Sequence, residues 1–375
     1  MSLADLGGWL ARQAAADPAL ATLHPAFCQA LLDRGLPVWR STLGLETLHP
    51  EISGTQLIWL AGTLEETEAE RHGILTRPDY VNSPTRIVDE SNKPFRRRLD
   101  RPVKDLPLLE ELRGRGATDY AMFPLPFIDQ SLTSVISFAT LAPGGFSDAQ
   151  LAQLEDAARL LSPYAERQVL RRIAIDLLDT YVGHSAGEKV FAGQVQRGDI
   201  ESIYAAIWFC DLRGFTRFSD RESRETVIDM LNDWFDCMAE PIAEAGGEIL
   251  KFMGDGMLAI FAADGDSAAA CDRALDAAHA AARAVDTFNG IRRDNKEAPL
   301  AYGLALHLGE VGFGNIGSRR RLDFTVIGAA VNHASRLQEL TKTLGRSLLV
   351  SEEFAAAIEQ QRSKIADIHK TIQQR

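Results

Sequence analysis

The sequence has no C-x-x-C pair, and its four cysteines, Cys28, Cys210, Cys237 and Cys271, stand far apart in 375 residues. That excludes a disulfide framework and a thiolate zinc site, and makes reduced, cytosolic thiols the default. No uncharged apolar run of about 18 residues exists, so no membrane-spanning helix is expected. The nearest approach, Phe123 to Phe146, is broken by Asp129, Gln130, three prolines and two glycines. The first residues lack a basic start followed by an apolar run, so no signal peptide is expected. Positive charge is in deficit: 40 Lys and Arg face 52 Asp and Glu, a net charge of −12 and a pI near 5.2. That argues against salt-sensitive binding along nucleic acid and against docking on anionic lipid. The 29 glycines and 15 prolines have no period, which excludes collagen-like and low-complexity architecture.

What remains is a globular chain, 46% hydrophobic and 25% charged, long enough for two or three domains. Residues 1–165 read as a mixed α/β domain. Helical patterns over Leu3 to Ala16 and His24 to Arg34 precede β-prone runs at Leu57 to Ala61 and Ser131 to Ala142. The basic cluster Pro94 to Pro102 reads as a solvated loop. Ser147-Asp148-Ala149-Gln150 fits a capping box and opens a helix. Pro163 is expected to end or kink it. Leu170, Ile173 and Leu177 then form a short seam at three- and four-residue spacing. It suits a parallel coiled coil or a helix packed on its own domain, and so short a seam does not decide between them. This segment, 166–198, reads as a linker helix followed by a polar connection over Gly183 to Asp199.

From residue 199 the pattern changes. Ile203 to Cys210 is a continuous apolar run, expected as a strand buried on both faces. Asp211 to Asp220 is turn-rich, and Ser219 to Glu222 fits a second capping box. A helix bearing Val227, Met230, Leu231, Trp234, Phe235 and Met238 on one face follows. Two short strands, Gly246 to Phe252 and Met257 to Phe261, flank a Gly254-Asp255-Gly256 turn. Ala268 to Phe288 and Ala329 to Leu344 read as helices. Leu300 to His307, Val311 to Ile316, Leu322 to Ile327 and Ser347 to Val350 read as strands. The alternation implies an α/β, more narrowly α+β, sandwich around one sheet over 199–351.

Two aspartates stand in glycine-bearing turns at strand ends: Asp211 in FCDLRGFT and Asp255 in KFMGDGM. A carboxylate at the end of a buried strand needs a cationic partner. Two of them at one sheet edge suit a pair of hard, oxygen-seeking divalent ions, the arrangement used for displacement at phosphorus. Each alone reads equally well as a turn residue. The loop Leu212-Arg213-Gly214-Phe215-Thr216 leads into a helix and could offer backbone N–H groups to a polyphosphate. Lys251 could hydrogen-bond a ring nitrogen of a base, or be an exposed strand residue. Thr325 could accept from an exocyclic amine, or be a β-branched strand residue. Asn332 and Arg336, four apart on one helix face, could meet a ribose and a phosphoryl group, or be a solvated face. His333, one residue off that face, reads as structural. His24, His49 and His72 follow no metal-ligand spacing.

Together FCDLRGFT, EILKFMGDGMLAIF, GEVGFGNIG and RLDFTVIGAAVNHASRL resemble the catalytic domain of class III adenylyl cyclases, over roughly residues 199–351. The resemblance implies an enzyme that converts ATP to cyclic AMP and pyrophosphate with two Mg²⁺ or Mn²⁺ ions per site. Asp211 and Asp255 would bind both metals, Lys251 and Thr325 would read adenine, Asn332 would orient the ribose, and Arg336 would stabilise the transition state. The family shares its sites across a homodimer, one protomer giving the aspartates and the other the remaining groups. The lysine/threonine pair resembles the subgroup whose members often respond to bicarbonate. Guanylyl cyclases carry a glutamate at the position of Lys251, and a lysine donates to adenine N1 where a glutamate accepts from guanine. Residues 1–165 weakly resemble a GAF-type sensor for a small-molecule effector; a dimerisation domain with an empty core is the other reading. One feature departs from the family: its usual terminal strand pair with a basic residue is replaced by 352–375, where Ile358, Ile365 and Ile372, with Ile368, read as a polar amphipathic helix. Lys342 or Arg346 could take that basic role. A catalytically impaired, nucleotide-binding regulatory dimer is the alternative function.

Overall fold

A computed structural model describes residues 3–47, 52–70, 77–101, 104–128, 134–194 and 196–360. His49, His72, Ile365, Ile368, Ile372 and the start of the Ser131 to Ala142 run lie outside them. The chain divides into two compact units, Met1–Leu177 and Leu178–Arg375.

The first unit opens with helices α1 (Leu3–Ala15) and α2 (Leu20–Leu32). Strands β1 (Arg40–Glu46), β2 (Ile52–Leu60) and β3 (Thr63–Glu70) follow as a meander. Helices α3 (Pro78–Val81) and α4 (Pro84–Ser91), strand β4 (Phe95–Arg98) and helix α5 (Pro107–Gly114) come next. Strands β5 (Asp119–Leu125) and β6 (Ser134–Thr140) complete one antiparallel sheet of order β3-β2-β1-β6-β5-β4. The basic cluster is therefore partly strand: Arg96 lies opposite Ala121 and pairs with the buried Asp119 at 2.8 Å. Helix α6 spans Asp148–Val182, and its capping box is formed as read, with Gln150 N donating to Ser147 Oγ at 3.2 Å and Ser147 N donating to Gln150 Oε1 at 2.9 Å.

Pro163 does not end α6. The proline is exposed, while Leu161 and Ala165 beside it are fully buried, so packing holds the helix where one backbone bond is lost on the solvent side. The seam also splits. Ile173 belongs to the core of this unit, whereas Leu170 and Leu177 are 46% and 37% exposed.

The second unit starts in the last turns of α6, and the stretch after it, expected as a polar connection, contains helix α7 (His184–Phe191). Val182, Ala186 and Val190 recur every four residues and pack on the sheet, a stripe masked by the glycines and polar residues between them. Strand β7 (Ile200–Leu212) leads to α8 (Phe215–Ser219) and α9 (Arg224–Glu244). The cap of α9 is Ser223, whose Oγ accepts from Thr226 N at 3.2 Å, and not Ser219, which lies inside α8. The hairpin β8 (Glu248–Met253) and β9 (Gly256–Ala262) and the long helix α10 (Ser267–Asp294) follow. The two strands expected over 300–316 are one, β10 (Tyr302–Gly317), because its glycines are accommodated within an uninterrupted ladder to β7. Strand β11 (Leu322–Ile327), helix α11 (Ala329–Leu344) and β12 (Leu348–Val350) close the sheet. Its order is β11-β10-β7-β9-β8, with β12 parallel to β10.

Side chains alternate along β7. Ala206, Trp208 and Cys210 face a core shared with α9 and α10, while Ala205 and Ile207 face α7 and α11. Helix α11 sits against β10 with almost no gap at its last turn: a Cβ at Gly303 would lie 2.1 Å from Thr341 Oγ1. Residues 352–360 are helical, as expected for the start of the tail, with Phe354 and Ile358 buried in the α9–α10 core. Among the described residues, no helix is long and apolar enough to cross a membrane.

Candidate active site

Asp211 is carried on the last turn-ward residue pair of β7, opposite Gly303 of β10. Asp255 occupies the two-residue tip between β8 and β9. The tip abuts the end of β7: a side chain at Gly256 would meet the Cys210 carbonyl at 3.0 Å and Asp211 Oδ1 at 3.3 Å. Trp234 of α9, fully buried, donates its Nε1–H to the Asp255 carbonyl at 3.0 Å and fixes the tip from below. Trp234 reads from sequence only as a core residue; the signal was its indole N–H, which needs an acceptor when buried.

These supports bring the two carboxyl groups into contact. Burial first, and then the charge and hydrogen bond of Asp255, push the Asp211 carboxyl up from 3.8 to about 6. Two carboxylates held together in a half-buried place is a costly arrangement without a cation. Lys342 of α11 is the positive charge acting on Asp211 and opposes that shift. No third His, Cys, Asp or Glu joins the pair among the described residues. An all-oxygen donor set of two carboxylates, leaving places for water and phosphate oxygens, fits Mg²⁺ or Mn²⁺ and not a soft metal.

The sign of that strain gives a stability prediction. The folded protein binds the Asp211 proton more tightly than the unfolded chain, so stability falls as pH rises from about 4 to about 6 and stays lower above. A shift of this size corresponds to about 3 kcal/mol, which solvent screening of a half-exposed carboxyl reduces to about 1–2 kcal/mol. In EDTA at pH 8, Asp211→Asn is expected to melt about 2–6 °C above the unaltered protein. The difference should close at pH 4.5. Equal melting temperatures at both pH values would show that the pair is not strained.

The loop after Asp211 is partly spoken for. The Arg213 amide donates to Ala301 O at 2.7 Å, and its Nη2 donates to Thr341 O at 3.0 Å and to Arg346 O, clamping the end of α11. What is left to meet an anion is the run of amides at Gly214, Phe215 and Thr216, where Gly214 takes a left-handed conformation at the start of α8. Leu212 is buried.

The second group of predicted residues lies elsewhere on the same unit. Lys251 is on β8 beside a bulge, half-buried and paired in register with Leu258. Thr325 is on β11, 5% exposed, and its Oγ1 has no hydrogen-bond partner. Strands β8 and β11 are opposite edges of the sheet, yet they approach each other around Leu250, Phe324 and Val326. Asn332 and Arg336 are both exposed on α11. So one protomer displays the acidic pair at one place and Lys251, Thr325, Asn332 and Arg336 at others.

Residues 200–372 match the family model described as the adenylate and guanylate cyclase catalytic domain. This segment is a class III nucleotide cyclase domain. An adenylate cyclase of Anabaena cylindrica is 40% identical over 162 residues, 42% of this chain and 31% of that protein. Adenylate cyclase 1 of Rhizobium meliloti is 32% identical over 148 residues, 40% of this chain and 22% of that protein. A guanylyl cyclase of known crystal structure is 32% identical over 44% of this chain and 81% of its own, with a TM-score of 0.38. The chain thus spans about a third or less of the length of these curated relatives. The cyclase match begins at the first residue of β7, so the sheet that holds Asp211, Lys251 and Thr325 is the cyclase fold.

Proposed function

We propose that the protein is an adenylyl cyclase, converting ATP to 3′,5′-cyclic AMP and pyrophosphate in a homodimer with shared sites. The observation that carries the chemistry is the Asp211–Asp255 contact, with its carboxyl pushed up to about 6. Divalent ions held there would neutralise triphosphate charge and acidify the ribose 3′-hydroxyl. The 3′-oxygen attacks the α-phosphorus, the bond to the β-phosphate oxygen breaks, and pyrophosphate leaves. Asn332 orients the ribose, and Arg336 presents a fixed cationic fork to the charge that builds on the phosphoryl oxygens. The amides of Gly214 to Thr216, and Lys342 beside the acidic pair, are available to the remaining phosphates.

Adenine over guanine is supported by residue type. Lys251 donates and Thr325 Oγ1, buried without a partner, accepts, which matches adenine N1 and its 6-amino group. The six-stranded antiparallel sheet of the first unit, with helices on it, supports a GAF-like sensor. A groove of about 550 Å³ lined by Leu32, Val38, Trp39, Trp59 and Leu141 gives it room for a small effector; bicarbonate is a second effector to test. Helix 352–360, standing where the family has strands, favours the other reading, a nucleotide-binding dimer without turnover.

Incubating the purified chain with ATP or GTP and Mg²⁺ or Mn²⁺ separates these readings. Equimolar cyclic AMP and pyrophosphate from ATP are expected, with at least a tenfold preference over GTP. Product from neither nucleotide, with bicarbonate present, would leave the regulatory dimer.

A further inference from the structure

The histidine beside Asn332 and the helix after β12 are two features that this reading leaves unused, and the structure joins them. His307 lies in the middle of β10 and is 5% exposed. Its Nδ1 is 2.8 Å from Ser351 Oγ and 3.6 Å from Glu353 Oε2. Its ring stacks on that of His333, with centroids 4.5 Å apart and planes 18° from parallel. Ser351 Oγ also accepts from Phe354 N at 3.3 Å, so the same hydroxyl caps the helix 352–360 that is anchored in the core by Phe354 and Ile358. One line of contacts therefore runs from that core through Ser351 and His307 to His333, one residue from Asn332 and three from Arg336.

The position of His333 around the helix matters. At about 100° per residue, Asn332 and Arg336 point one way, buried Ala330 and Ala334 point the opposite way, and His333 lies on the flank between them. Gln338, Thr341 and the Arg213 clamp hold the far end of α11, but in its first half two buried alanines meet the sheet, and such small side chains resist local rotation weakly. A flat ring pressed on a second, buried ring is a stop against that rotation. Rotation about the axis is the motion that would swing Asn332 and Arg336 away from a substrate.

We propose that His307 and His333 are positioning residues for Asn332 and Arg336, with the 351–360 segment holding His307 in place. The proposal rests on the shared-site cyclase reading. Its test uses mixed dimers of an Asp255→Ala chain, which supplies Asn332 and Arg336 to the one intact site, and an Arg336→Ala chain, which supplies the acidic pair. His333→Ala in the first chain is expected to lower kcat about tenfold with KM changed less than twofold. The same substitution in the second chain should change kcat less than twofold. His333→Phe in the first chain, which keeps a stacking ring, should recover most of the loss. Equal losses from either chain, or a loss only with a matching drop in melting temperature, would overturn the proposal in favour of a general folding role, and so would no loss in either. Inactivity of the mixed dimer with both histidines intact would refute the shared-site reading itself, and the proposal with it.

Discussion

Asp255→Ala is expected to lower cyclase turnover at least about a thousandfold while the second unit stays folded. On the proposed reading it removes one of the two carboxylates that would hold the charge-neutralising ions, and contributions of this kind reach several kcal/mol of transition-state stabilisation. Folding should survive because the deletion also relieves the pressure on Asp211, whose carboxyl the Asp255 neighbour helps to raise. Arg336→Ala should be about as inactive, for the separate reason that the phosphoryl charge loses its cation. The informative result is their mixture. In a random mixture half of the dimers are mixed, and each has one intact site of two, so activity should return to roughly a quarter of the unaltered level. Co-expressed chains with different tags, purified in series, allow cyclic AMP formation to be read on mixed dimers alone. No recovery in verified mixed dimers would show that the acidic pair and Arg336 serve the same chain.

Lys251→Glu should reverse the base preference. A site whose buried groups are matched to one hydrogen-bonding edge discriminates strongly against the other, because the wrong base leaves groups unpaired. The ratio of kcat/KM for ATP over GTP is expected to fall by at least about a hundredfold, mostly through loss of ATP turnover. Thr325 is already able to reorient its hydroxyl as donor or acceptor, so it should not block the change. Rates measured with both nucleotides over a range of concentration give the ratio directly. A ratio changed less than twofold would place Lys251 outside the base pocket.

What could be read in advance followed from local chemistry. The capping box at Ser147 is four residues that satisfy each other, and it forms as written. The apolar run at Ile203 to Cys210 is a central strand because only a two-faced interior accepts it. The contact of Asp211 with Asp255 joins two residues that turn glycines mark as candidates. What escaped the sequence depends on distant neighbours. Pro163 stays inside α6 because Leu161 and Ala165 are buried in the first unit's core. Helix α7 exists because the sheet of the cyclase domain offers its alanine and valines a surface. Trp234 holds the hairpin tip beside the Asp211–Asp255 contact, and the His307–His333 stack joins residues 26 positions apart through the packing of α11 on β10. Where a local signal exists, as in the stripe Val182, Ala186 and Val190, it does not name the distant surface it meets.

The missing gap at Gly303 has a mechanical consequence. There β10 faces the Asp211 end of β7 along one edge and the last turn of α11 from above, and Arg213 ties that turn to the loop beyond Asp211. The strand end and the last turn of the helix are thus tied together by close packing and by Arg213. In a dimer with shared sites, they would carry the acidic pair of one site and the Asn332 and Arg336 of the other. On the shared-site reading, closing one site would then move part of its twin.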